Sequence, residues 1–460
     1  MERLWFPDGQ KRLGRSKSNQ LIIITPPPPP PAERGIFRLP DELLLRIVKL
    51  ATTWEPPTLD PWEQDRPSDK HLFFVSPSLV CRRFHRLVTP LMYDDLDICV
   101  SSADETHRPV LSLGALQNLQ RTLTETPVLR QHTRMLQITV RAEHSDNPTV
   151  VNTLVDLVGL LTEMRSLTLF FPYQGTEGDL SLVRAAARHM AKLEDLTLFT
   201  GNECPDLGLV CEALSPLRHL HKFSYYPGSC QLEDSNSLRC SSSIKTLELS
   251  IFTGSAEDLH RFLAWPIRLE FFTLGNLFRH RHNPCLSLSV VASALAPHKS
   301  TLRHLSIGYL PIKGLEDFDL TGFENLEELT LSSWTTRSDF FMNGERLLAP
   351  RLRKFTWNFP VEEERGYGPL HEFKEPQAAW LRLFARAAVG AGLPLSLIYV
   401  DFYGVDNCGW SDNLPAIYPW DHIDRVADEV KGAGIEVVYP KPILTREDFF
   451  KWREEEGSIF

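Results

Sequence analysis

The chain has 460 residues, enough for more than one core or one long extended core. Its formal charge of −10 excludes a generally basic binder of nucleic acid or anionic membrane, which needs surplus cations to release counterions. No stretch reaches the roughly 18 apolar residues of a membrane span, so neither nucleic acid nor membrane is an expected partner.

Residues 1–35 read as a disordered basic and polyproline tail. Lys11, Arg12, Arg15 and Lys17 precede the short apolar run "LIII", which is too brief for a signal peptide and is followed by Pro26 through Pro31. Such a segment buries too little apolar area to offset its ordering entropy. The eight cysteines are scattered without a CxxC pair, so a reducing compartment, cytoplasmic or nuclear, is expected. His280, His282 and Cys285 in "RHRHNPC" lack a fourth ligand at metal spacing, and no metal or cofactor is predicted.

Residues 36–98 read as a compact helical unit. In "FRLPDELLLRIVKLA", Pro40 is placed at the first helical position, and Asp41 and Glu42 suit the positive end of the helix dipole. Leu43, Ile47 and Leu50 form one apolar stripe with Leu44, Val48 and Ala51 beside it, a face wider than one neighbour requires. After the proline-rich insert from Trp54 to Lys70, "SPSLVCRRFHRLVTP" predicts a second helix capped by Ser76, started by Pro77 and ended by Pro90. Its apolar face is Val80, Phe84, Leu87 and Val88.

Together, "LPDELLLRIVKLA" and "SLVCRRFHRLVTPLMYDDL" resemble the F-box in order and residue type, although the insert is longer than the usual link. The resemblance implies docking onto the Skp-type adaptor of a cullin-RING ubiquitin ligase. By carry-over, Leu39, Pro40, Leu43, Leu44, Ile47, Val80, Cys81 and Phe84 would pack on or support the adaptor surface.

Residues 99–130 read as a linker or an N-terminal cap. From 131 to 361 the pattern apolar-x-x-apolar-x-apolar recurs, starting at Met164, Leu193, Leu220, Ile244, Leu269, Leu302, Leu326 and Leu352, at steps of 24 to 33 residues. That period with L-x-x-L-x-L predicts an irregular leucine-rich-repeat-like solenoid, each unit a short strand and a return segment. Helical return segments are read in "VNTLVDLVGLL", "SLVRAAARHMA" and "SAEDLHRFLA". Side chains between the leucines should share the open face of the sheet. Their central row, Thr168, Thr197, Ser224, Glu248, Thr273, Ser306, Thr330 and Thr356, reads as scaffold. In the next row Phe170, Phe199 and Tyr226 are the candidates for substrate contact, with burial under flanking loops as the alternative.

Residues 362–460 read as a C-terminal cap of helix, strand, helix, strand, the helices ending at glycines. Asp401, Asp421, His422 and Asp424 fall on a loop and a helix start, where Asp is a good cap. No catalytic motif is present, so a non-catalytic chain is expected.

The expected architecture is therefore α/β: a small all-α F-box module, an irregular leucine-rich-repeat-like solenoid and an α/β cap. The expected role is substrate recognition in a Skp-cullin-F-box ligase, reaching cullin and RING protein through the adaptor, with the substrate unspecified. The plan, including "YPWDHIDRVADEV", is similar to F-box families of filamentous fungi. The alternative is an interaction scaffold that does not assemble into a ligase.

Overall fold

The computed structural model describes residues 38–53, 78–100, 111–140, 147–171, 177–200, 206–226, 242–250, 252, 254–275, 286–308, 310, 318–333, 344–359, 373–402, 417–440 and 445–457. The insert at 54–70, the Ser76-Pro77 start and the His280/His282/Cys285 group lie outside these residues. Two compact units divide the chain, Met1–Pro56 and Pro57–Phe460.

In the first unit, helix α1 spans Asp41–Thr53. Pro40 sits one residue earlier than the sequence suggested: its carbonyl accepts the amides of Leu43 and Leu44, each at 3.1 Å. That is the cap's role, and a residue without an N–H gives up nothing there. The double apolar stripe is divided. Leu44 and Val48 are buried, whereas Leu43, Ile47 and Leu50 are 46%, 42% and 61% exposed.

The second unit is mixed α/β around a twelve-stranded sheet whose order follows the sequence. The strands are β1 (Asp95–Val100), β2 (Met135–Val140), β3 (Ser166–Phe171), β4 (Asp195–Thr200), β5 (Lys222–Tyr226), β6 (Thr246–Leu249), β7 (Phe271–Leu274), β8 (His304–Ile307), β9 (Glu328–Ser332), β10 (Lys354–Asn358), β11 (Leu397–Asp401) and β12 (Glu436–Val438). Every pairing is parallel and in register, and the sheet is open, with β1 and β12 at its edges. Parallel neighbours need crossovers, and helices supply most of them: α3 (Leu113–Glu125) and α4 (Pro127–Arg130) before β2, α5 (Pro148–Leu160) before β3, α6 (Glu177–His189) before β4 and α7 (Leu207–Leu214) before β5. Later, α8 (Ala256–Leu263) leads to β7, α9 (Leu288–Ala294) to β8, α10 (Glu375–Gly390) to β11 and α11 (Pro419–Lys431) to β12, with α12 (Arg446–Gly457) last. Several crossover helices start with a side-chain cap, from Ser112, Asn147, Asp206, Ser255 or Ser287, which bonds an otherwise unpaired amide.

The leucine rows explain the sheet. Leu167, Leu169, Leu196, Leu198, Leu247 and Leu249 are almost fully buried, and so is each motif-opening residue from Met164 to Leu352. One continuous apolar core results, running from Leu96 to Phe449. Just before each strand from β3 to β11 a second device fixes the register. The carbonyl of Arg134 accepts the amides of Arg165 and Ser166 at 2.9 and 3.0 Å, Arg165 accepts those of Glu194 and Asp195, and the pattern continues to Arg353, which accepts Ser396 and Leu397. Towards the C terminus, rings take over much of the packing. Phe355 meets Trp380 at 5.7 Å, Phe402 meets Trp420 at 5.5 Å and Tyr418 meets Phe449 at 5.3 Å.

Two expectations change. The helix after the insert, α2, spans Arg82–Asp94, with Cys81 as an extended residue before it and Leu79 and Val80 in a turn. Pro90 lies inside α2 and does not end it. The lost amide bond is local, the Thr89 hydroxyl bonds the His85 carbonyl at 2.7 Å, and Tyr93 in the last turn packs against the core. Second, residues 95–100, 397–401 and 436–438 contribute strands to the same sheet as the eight motif strands. Residues 375–438 do follow the predicted order of helix, strand, helix and strand, with Gly392 and Gly434 at φ +65° and +79° after the two helices.

Candidate protein-binding surfaces

The residues singled out in the sequence fall on apolar positions in each unit taken by itself and on the polar face of the sheet. On α1 the stripe of Leu43, Ile47 and Leu50 is open beside the buried Leu44 and Val48, and Leu39 is half-buried with Pro40 exposed. In the second unit, Leu79 and Val80 are 78% and 61% exposed, Cys81 is half-buried and Phe84 is buried together with Val88. Leu43, Ile47 and Val80 are therefore open to contact, whereas Leu44 and Phe84 act from beneath the surface. Large exposed apolar side chains spaced along a helix mark an interaction surface more strongly than scattered ones do.

On the polar face of the sheet, side chains alternate with the buried leucines. Register sets Phe170 beside Phe199 and Phe199 beside Tyr226 on consecutive strands. The ring centroids are 5.3 Å apart for the first pair and 4.4 Å for the second, the latter stacked within 14°. Phe170 is 36% exposed and the other two rings are half-buried. The three predicted contact residues thus form one continuous aromatic rail.

Glu248 anchors one end of that rail. Its carboxylate accepts the Ser224 hydroxyl at 2.7 Å and the Tyr226 hydroxyl at 3.2 Å, and pairs with the Lys222 ammonium at 2.8 Å. Burial pushes the Glu248 acid up, but those donors and the Lys222 charge outweigh it and hold it below the ordinary value. Burial and the Glu248 charge together push the Tyr226 phenol up to about 12. Sequence reasoning placed Glu248 in the scaffold row. The available signal was that it is the one acid in a row of hydroxyl residues.

The charges on this face are unequal. Register places Asp95, Asp97, Asp195, Glu248, Glu328, Asp401 and Glu436 on it, against Lys222 and Lys354. Lys222 is paired with Glu248, and Lys354 lies 3.5 Å from Glu328. His304 stacks on Phe271 at 4.3 Å and reaches Glu328 at 3.4 Å. Burial raises the Asp195 and Asp401 acids, partly opposed at Asp195 by Lys222.

The C-terminal acids have separate local partners. Asp421 pairs with Arg446 at 3.0 Å, Asp424 accepts the Tyr439 hydroxyl at 2.6 Å, and the buried His422 lies 2.7 Å from Arg425 and 3.2 Å from Glu375. Asp401 ends β11 beside Asn358 of β10. Among the described residues no His, Cys, Asp and Glu side chains group as metal ligands, and no helix is long and apolar enough to cross a membrane.

A comparison with protein-family models finds no match, and a comparison with curated proteins finds none either.

Proposed function

We propose that this chain is the substrate-recognition subunit of a Skp-cullin-F-box type ubiquitin ligase. In this reading residues 39–48 and residues 80–84 each contribute contacts to the adaptor, and the in-order parallel sheet with its return segments is a leucine-rich-repeat-like solenoid that holds a protein substrate. The observation that carries the reading is the division of the α1 face, with Leu44 and Val48 buried and Leu43, Ile47 and Leu50 open. A helix whose apolar surface is only half covered has lower free energy when a partner covers the rest, by about 25 cal/mol per Å² removed from water. Order and residue type in "LPDELLLRIVKLA" and "LVCRRF" point to the adaptor as that partner.

The chemistry belongs to the assembled ligase. This subunit contributes geometry: a substrate held on a rigid sheet has its lysines at high effective concentration near the charged conjugating enzyme. Pull-down of wild type beside a Pro40→Ala, Leu44→Ala, Ile47→Ala variant, probed for adaptor and cullin, tests the assignment. Retention of both by wild type and loss of both by a folded variant is the expected result. Adaptor retained without cullin assigns an interaction scaffold, and retention of neither overturns the reading.

A further inference from the structure

The polar sheet face has a specific chemical bias. Among its described strand residues seven carboxylates face two lysines, and each lysine lies within 3.5 Å of a carboxylate of a neighbouring strand. Clustered arginines, which a phosphorylated segment would require, do not occur among those residues. The aromatic rail of Phe170, Phe199 and Tyr226 lies on β3–β5 of this face, with Asp195 on β4 and Glu248 on β6 as the carboxylates of its own and adjoining strands, its rings 5.3 and 4.4 Å apart and its outer member 36% exposed. Ring faces carry negative quadrupole charge and attract cations, arginine best because its planar, weakly hydrated guanidinium also stacks. Tyr226 is fixed at one end by its bond to Glu248, so the rail is an ordered surface before anything binds.

We infer that the occupant of this face is an extended, arginine-rich protein segment, its guanidinium groups lying over the Phe170–Phe199–Tyr226 rail and its remaining charge matched by Asp195 and Glu248 and, further along the sheet, by the other carboxylates of the face. The inference deepens the ligase reading by giving the substrate class, and it rests on that reading only for the fate of the bound segment. The binding itself requires only the sheet.

The test uses the full-length chain and labelled short Gly/Ser peptides carrying arginine, lysine, glutamate or phosphoserine at alternate positions, with binding read by fluorescence anisotropy. The arginine peptide should bind tightest, lysine more weakly, glutamate and phosphoserine least, with affinity falling as salt rises. Phe170→Ala with Phe199→Ala should weaken the arginine peptide by about 10-fold. Asp195→Lys should weaken it by about 3-fold or more. Matched thermal unfolding confirms that each variant is folded. The inference is overturned if no arginine peptide binds, if the acidic or phosphoserine peptide binds as well, or if the double ring variant binds like wild type. Self-association lost in that same variant would assign the rail to a second copy and also overturn it. Adaptor capture is measured on the same proteins. Failed peptide binding with intact capture removes this inference alone, and peptide binding without capture removes the ligase reading alone.

Discussion

Glu248 gathers three donors from the neighbouring strand β5, and its removal should be felt at each of them. Glu248→Ala leaves Lys222 and two hydroxyls without their acceptor and should cost about 1–3 kcal/mol in chemical denaturation. Because its acid is held below the ordinary value in the folded chain, this contribution is present above that value and is lost as pH falls through the folded one. Wild type should therefore lose more stability than Glu248→Gln on acidification. Tyr226 behaves oppositely. Its phenol is raised to about 12, so its contribution is complete below 10.0 and lost as pH climbs from there. Phenolate absorbance, taken as wild type minus Tyr226→Phe, should show ionisation near 12, and at lower pH in Glu248→Gln. Thr133 offers a contrasting case: it is fully buried and its hydroxyl has no hydrogen-bond partner among the described residues. Thr133→Val should stabilise the chain by about 1 kcal/mol, read as a shift of the urea midpoint at constant slope.

At the scale of elements, sequence and structure agree wherever a period and a stop signal coincide. The eight leucine motifs became β3–β10, because Leu-x-Leu alternation admits only one buried face. Helix α8 starts where Ser255 and Asp258 form a reciprocal capping box. Ser255→Ala should lower stability by about 1 kcal/mol, with faster amide exchange confined to the first turn of α8. Strand β1 was hidden by its first motif position, where Tyr93 replaces the expected leucine, and the start of α2 was obscured because Cys81 is extended. Pro90 misled because a proline usually ends a helix, whereas here core packing by Tyr93 and the adjoining strand outweigh one lost bond. The aromatic row was legible from the recurring motif together with its period-2 alternation. The acidic hub beside it was not, since its pairings cross strands and only the register reveals them.

For the second unit as a whole, each strand pairs only with its neighbours in sequence. Stability is then close to a sum of local terms and nearest-neighbour interfaces. Leu247, fully buried in the middle of the array, is a sensitive place to test this. Leu247→Ala should cost about 2–5 kcal/mol. Its loss of amide protection should be largest on β5 and β7, which flank β6, and should fade towards both edges. Uniform loss across the sheet would show that the array unfolds as one block.

The functional account depends most on the open stripe of α1. The most direct measurement is amide hydrogen exchange of residues 41–53 in the full-length chain, with and without purified Skp-type adaptor. Protection of α1 on adding adaptor, abolished in an Ile47→Asp variant whose sheet amides exchange as in wild type, is the predicted result. Unchanged exchange of α1 at saturating adaptor would contradict the assignment.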